Sequence, residues 1–229
     1  KLCWDFLKGF ANDEFFDFSL LTEIDQVLFL FNLLPYFGED QKFSIASEYA
    51  EVFGRITDLD LNRDDFEKIE SSKLKIICEN YKIYKVRLEK NKLLDYSFVI
   101  KKFFEKIQDV KFKKSIKDNY NFFFVDEYQD VNNLQNKIFQ KLSGPDHNIT
   151  IVGDPNQSIY GWRGSNVKNL LDFENGINKK VKKYFLKKNF RSSQRLVDAA
   201  NYYFSNHLEI KSSREDHGFY PFSLHFKDS

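Results

Sequence analysis

Two carboxylates stand side by side at Asp126 and Glu127, directly after the apolar run Phe122 to Val125 and ahead of Tyr128-Gln129-Asp130. In open α/β sheets, ligands collect at the carboxyl ends of the strands. Neighbouring acids at such an edge can divide the labour of nucleotide hydrolysis, one holding a magnesium ion through its water shell while the next polarises the attacking water. Taken alone, the feature is more often a solvated turn after a buried strand. A second constellation runs Ile151-Val152-Gly153-Asp154-Pro155-Asn156-Gln157-Ser158-Ile159-Tyr160-Gly161-Trp162-Arg163-Gly164-Ser165. Tyr160 and Trp162 offer flat faces on which unpaired bases can stack, at roughly 1 to 3 kcal/mol per base, and Arg163 supplies charge for phosphate. Gly161 and Gly164 would let backbone approach closely. The plainer reading is that Tyr160 and Trp162 anchor a turn on the core. A third segment, Leu186-Lys187-Lys188-Asn189-Phe190-Arg191-Ser192-Ser193, joins an aromatic ring to a guanidinium.

The elements that must carry these groups are legible in the apolar spacing. Leu20, Ile24, Val27, Leu28 and Phe31 recur at three- and four-residue steps, predicting an amphipathic helix stopped by Pro35 and Gly38. Leu74, Ile77, Tyr81, Tyr84 and Leu88 predict a second, and Lys101 to Ile107 a third, so the first half of the chain reads as helical. Phe15 to Phe18 reads as core packing of that half. From Asn121 the pattern changes. Phe122 to Val125 and Ile149 to Val152 are short apolar runs suited to buried parallel strands. Leu134, Ile138, Phe139 and Leu142 mark the helix between them, closed by Gly144 and Pro145. A third run, Tyr184 to Leu186, precedes Ser192 as a cap for a helix carrying Leu196, Val197, Ala200 and Tyr203. The alternation of strand and helix predicts an α/β fold with an open parallel sheet.

Composition narrows the classes. The chain has 229 residues, 42% hydrophobic, enough to bury a sizeable core. Its 35 basic and 34 acidic residues nearly cancel, so any nucleic-acid surface must be a local patch. The lysines from Lys179 to Lys188 could follow a phosphate backbone, but such a run is more often a solvated edge. Two cysteines, Cys3 and Cys78, without close spacing indicate neither a disulfide framework nor a zinc site, and a cytoplasmic setting is expected. No apolar run approaches the ~20 residues of a membrane span. The sequence begins at Lys1 and holds no Met, which leads to the expectation of a fragment.

In order and content, the three polar segments resemble three motifs of the UvrD/Rep/PcrA helicases of superfamily 1. The clear resemblance covers Phe122 to Tyr203, with weaker echoes at Leu2-Cys3-Trp4 and Leu94-Asp95-Tyr96. It implies that Asp126 coordinates magnesium through water, that Glu127 is the general base, and that Gln129 and Asp130 relay nucleotide state. Gln157 would sense the γ-phosphate of ATP, and Tyr160, Trp162 and Arg163 would face single-stranded DNA. Phe190 stands where the family usually has a Tyr that stacks on adenine, and Arg191 matches an arginine that reaches the γ-phosphate. The cofactors implied are ATP and Mg2+. The implied partners are single-stranded DNA and single/double-strand junctions, with a nuclease or repair protein as a further partner and no membrane.

Departures from the family pattern also carry information. The family's phosphate-binding loop ends in Gly-Lys-Thr or Gly-Lys-Ser, and none of the nine glycines here is followed by Lys. Phe98-Val99 replaces the polar residues usual after Leu94-Asp95-Tyr96. The resemblance therefore implies part of a RecA-like (P-loop NTPase) parallel-sheet domain with a mainly helical inserted subdomain. Residues 1–17 would be a remnant of the first motor domain, 18–92 the helical insertion, 93–210 the carboxyl half of that domain, and 211–229 the start of the second. The expected function is an ATP-dependent helicase or translocase moving 3′ to 5′, with the polypeptide inactive alone. Two alternatives stand beside it: a non-catalytic DNA- or partner-binding module, and a motor subunit of a helicase-nuclease or defence complex.

Overall fold

The computed structural model describes residues 1–11, 14–33, 39–61, 65–66, 70–143, 148–161, 164–173, 175, 181–203 and 211–214. The chain divides into two compact units, Lys1–Asn178 and Lys179–Ser229.

The first unit opens with helix α1 (Leu2–Phe10), strand β1 (Ser19–Leu20), α2 (Glu23–Leu33), α3 (Glu39–Asp58) and α4 (Ser72–Lys90). Strand β2 (Leu93–Leu94) pairs in parallel with β1 and leads into α5 (Tyr96–Lys106) and α6 (Val110–Asn119). These helices close on an aromatic core. Phe53 lies against Tyr81 and Tyr84 at 5.4 and 5.2 Å between ring centroids, and Phe98 stacks on Tyr81 at 5.9 Å. The Phe98-Val99 departure is thereby explained, because both side chains are buried in this core. Asp95 is buried too, at 2% exposure, which is tolerable only because its carboxylate is fully occupied. It caps α5 by accepting from the Phe98 backbone N–H (2.7 Å), and it accepts from Tyr84 Oη (2.7 Å) and Gln26 Nε2 (3.2 Å). One side chain thus ties α2, α4 and the start of α5 together.

Of the stripe predicted for α4, Tyr81, Tyr84 and Leu88 are buried and Ile77 is half-buried, but Leu74 is exposed. On α2 the predicted stripe holds in part: Val27 and Phe31 pack against the core, but Ile24 and Leu28 are exposed and the fully buried residue is Leu30. Of the early Phe cluster, Phe15 is buried but Phe16 is exposed. The proposed stops at Pro35, Gly38, Gly144 and Pro145 lie outside the described residues.

Strand β3 (Phe123–Val125) crosses through α7 (Asn133–Ser143) to β4 (Ile149–Ile151), and the two strands pair in parallel with Val125 opposite Ile151. The helix between parallel strands is the expected crossover, and it buries Leu134, Ile138 and Leu142. The expectation of fully buried strands is corrected, since Phe124 is 77% exposed and one face of the pair is open to solvent. An apolar run reports that a strand can be covered on both faces, not that it is. Helix α8 (Lys168–Leu171) follows.

The second unit holds β5 (Lys188–Ser193), α9 (Gln194–Tyr203) and β6 (Lys211–Arg214), with β5 and β6 parallel. Here the expected strand at Tyr184 to Leu186 is displaced to Lys188–Ser193, and Ser192 sits inside that strand instead of capping the helix. The Asn189 side chain accepts from the backbone N–H groups of Arg191 and Ser192, both at 2.8 Å, and this local bonding accompanies a bulge in the strand. The α/β mixture and parallel pairing stand, but among the described residues the strands form three separate pairs and not one open sheet. Among those residues no helix is long and apolar enough to cross a membrane.

Candidate functional site

At the carboxyl ends of β3 and β4 the two chains turn together. Val152 N–H donates to Val125 carbonyl and Tyr128 N–H to Val152 carbonyl, each at 2.9 Å, which brings Asp126 and Glu127 beside Gly153 and Asp154. Glu127 has left-handed backbone (φ 51°), uncommon for a residue with a Cβ. It reverses the chain into the single helical turn Tyr128–Asp130. Gly153 is required by the closeness of the turns, because a Cβ there would lie 2.7 Å from Gln129 Oε1 and 3.2 Å from Tyr128 N. Beneath them Tyr128 is buried, its hydroxyl donating to Asn136 Oδ1 at 2.7 Å and its ring edge-on to Phe173. Burial pushes its phenol above the usual range.

The polar groups at this edge form a chain. Gln129, 1% exposed, donates from Nε2 to Glu127 Oε2 at 2.6 Å and accepts at Oε1 from the Asp154 N–H at 3.0 Å. Asp154 caps the turn Pro155–Gln157 through the Asn156 N–H (3.0 Å), and its other oxygen accepts from Gln157 Nε2 (3.0 Å). Gln129 and Asp154 thus connect Glu127 to Gln157. Asp126 is exposed, and its Oδ1 accepts from the Glu127 N–H at 3.0 Å. One exposed carboxylate at a strand end suits a magnesium ion that keeps most of its water and takes one or two protein carboxylates.

Beyond this chain, the loop that begins at Ser158 is fastened at its far end. Asn166 N–H and Asn169 Nδ2 both donate to the Val131 carbonyl, at 3.2 and 3.0 Å. Asn166 Nδ2 donates to Asn133 Oδ1 (2.9 Å), and Asn136 Nδ2 to Asn169 Oδ1 (3.2 Å). Asn132 and Gln135 exchange bonds between side chain and backbone at 3.0 and 2.8 Å, a reciprocal cap for α7.

Of the residues singled out from sequence, Asp126, Glu127 and Gln157 lie at this one edge, with Tyr160 three residues further along the loop. Trp162 and Arg163 lie outside the described residues. Phe190 and Arg191 belong to the second unit, on the bulged part of β5, where the Phe190 ring is 74% exposed. Asp154 and the asparagines were missed as connecting residues. Their signals were an Asp ahead of Pro, which favours a helical-turn cap, and the Asn-x-x-Gln spacing at Asn132.

The family model for the UvrD/REP helicase N-terminal domain matches residues 1–178, ending where the first compact unit ends. The chain is 28% identical over 199 residues to the ATP-dependent DNA helicase PcrA of Staphylococcus epidermidis, covering 85% of this chain and 27% of the relative. It is 33% identical over 139 residues to the ATP-dependent DNA helicase PcrA of Staphylococcus aureus, covering 59% of this chain and 19% of the relative. The matches thus span about a fifth to a quarter of the length of these relatives. Because the family model takes in 178 of its 229 residues, the chain belongs to the UvrD/REP helicase family, as a match to its N-terminal domain.

Proposed function

We propose that the protein carrying this chain is an ATP-dependent DNA helicase or translocase, moving 3′ to 5′ on single-stranded DNA, and that these residues supply the carboxylate edge of a RecA-like motor domain. The observation that carries this reading is the hydrogen-bonded chain Glu127–Gln129–Asp154–Gln157. It would couple Glu127, as the group that takes a proton from water, to the base of a loop whose aromatic residues would stack on bases. Asp126 would hold hydrated magnesium, which neutralises charge on the phosphates of bound ATP. Gln157 would pass a change at the γ-phosphate to the loop carrying Tyr160, Trp162 and Arg163. Phe190 would stack on adenine, keeping the ring and losing only a hydroxyl, and Arg191 would reach the γ-phosphate.

On this reading residues 18–92 are a helical insertion, 1–17 and 93–210 belong to the first motor domain, and 211–229 begin the second. The setting is cytoplasmic. Single/double-strand junctions are substrates, and a nuclease or repair protein is a further partner. Without a Gly-Lys-Ser or Gly-Lys-Thr loop in its sequence, the polypeptide alone does not turn over ATP. That same missing loop favours a second reading, a non-catalytic DNA-binding module.

The test is ATP hydrolysis by the longest natural form, with and without single-stranded DNA, beside Glu127→Gln. Loss of a general base lowers turnover by about 10²- to 10⁴-fold, so DNA-stimulated hydrolysis that collapses in the variant is expected. No hydrolysis in the unaltered protein, with DNA binding kept, would leave the binding module.

A further inference from the structure

Helix α3 ends in a tight left-handed cap. Asp60 has φ 58°, its N–H donates to the Thr57 carbonyl at 3.0 Å, and the Leu61 N–H reaches the Ile56 carbonyl at 3.4 Å. Glycine, or failing that asparagine, is what this position ordinarily holds, because a Cβ is disfavoured there. Here it is aspartate, and its carboxylate is used. It pairs with Lys101 of α5 and, at 2.8 Å, with Lys137 of α7.

Two residues earlier, Asp58 is a second acid in an unfavourable place. Its Oδ1 is shut off from solvent with no partner among the described residues, and it stands close enough to Asp95 to be repelled by it. The Ser97 and Asn132 side chains lie near its carboxylate and favour its ionised form. A Cβ on Gly164 would lie 4.0 Å from Asp58 Cβ. Asn132 is the residue that caps α7 and that bridges to Ser165.

This turn therefore meets both strands of chain that leave the site: the segment just past Asp130, through Asn132 and Lys137, and the end of the aromatic loop, through Gly164. Asp60 in left-handed backbone, and Asp58 with a carboxylate oxygen shut off from solvent, each carry a local cost. Such a cost is characteristic of groups kept for function. We infer that Asp58 and Asp60 are positioning residues through which the helical part of the chain sets the spacing between the Glu127–Asp130 turn and the Ser158–Ser165 loop. That spacing governs how strongly DNA on the loop accelerates hydrolysis at the turn. The inference rests on the motor reading above.

The experiment uses the longest natural form of the protein, Asp60→Asn and Asp58→Asn, and an oligothymidylate as the DNA. Asparagine tolerates left-handed backbone, so Asp60→Asn removes the charge and spares the cap. In each variant the stimulation of turnover by DNA is expected to fall at least 5-fold, with the KM for ATP within 2-fold of the unaltered protein and the unfolding temperature not lowered by Asp58→Asn. Lys137→Met should reproduce the Asp60→Asn result. Should Asp58→Asn fold poorly, Asp60→Asn and Lys137→Met decide the matter. Stimulation unchanged within 2-fold in the folded variants overturns the inference alone. Hydrolysis absent or indifferent to DNA in the unaltered protein overturns the motor reading and the inference together.

Discussion

Around Tyr84 the protein is held by rings packed out of reach of water, whereas around Asp126 it is held by amides and carboxylates bonded in a line near the surface. Tyr84 is fully buried and shares its surroundings with Phe29, Phe53 and Phe98. Asp126 and Glu127 are exposed, with Tyr128 and Gln129 buried directly after them. The first kind of region resists change in volume; the second resists change in hydrogen-bonding pattern. Stability and activity should therefore respond to different substitutions, and four of them test the division.

The largest effect on stability is expected in the ring core. Phe103 has no exposure and lies 5.8 Å from Phe6 and 5.9 Å from Phe112, centroid to centroid. Phe103→Ala leaves a void that neighbours cannot fill, costing about 3 to 5 kcal/mol in a urea titration. A smaller loss is expected where the same core turns polar. Tyr84→Phe keeps the ring and removes the hydroxyl bonded to Asp95, costing about 2 kcal/mol because the acceptor is buried and acidic. A change below 0.5 kcal/mol would mean that Asp95 is satisfied without it.

Gly153→Ala should reverse the ranking between stability and activity. The new methyl group meets Gln129 Oε1, which can turn away, and the Tyr128 backbone N at 3.2 Å, so unfolding should shift by about 1 to 3 kcal/mol, less than for Phe103→Ala. Rotation, however, breaks the bond from Asp154 N–H that links the two turns. DNA-stimulated hydrolysis is expected to fall at least 10-fold, and equal losses in both measurements would show that the edge is as rigidly packed as the core.

The same contrast explains what could be read in advance. The strand ends at Val125 and Ile151 and the polar groups after them were legible because short apolar runs closed by acids have few other uses. The helices of the first half were legible as helices but only partly in orientation. Ile24, Leu28 and Leu30 are equally apolar, and only tertiary packing decides that Leu30 goes inside. Phe124 misled for the same reason, since its face of the strand pair has no cover. Nothing local announces that Asp58 will sit beside Asn132, 74 positions away, or that Asn169 will bind the Val131 carbonyl. The displaced strand at Lys188–Ser193 reflects the Asn189 side chain bonding its own backbone, a choice that competes with regular pairing and that an apolar count ignores.

Asp58 supplies the smallest effect and the one with a pH signature. Burial and the neighbouring Asp95 raise its carboxyl from 3.8 to about 6, against the opposing pull of Ser97 and Asn132. Between about pH 4 and pH 6 the folded protein therefore keeps a proton that the unfolded chain has released. By linkage, stability falls as pH rises through that window, and the loss is complete above it. Asp58→Asn removes the ionisation while leaving an oxygen within reach of Ser97 and Asn132. Allowing for the partial exposure of the residue, it should stabilise the protein by about 1 kcal/mol at pH 7.5. The gain should vanish below pH 4, where aspartate is protonated in both states. Thermal unfolding of both proteins at pH 4, 6 and 7.5 gives the comparison. A gain that is independent of pH would place the benefit in packing and not in charge. A gain confined to higher pH, together with weakened DNA stimulation, would mean that the unaltered protein carries an ionised acid at this junction at the expense of its own stability.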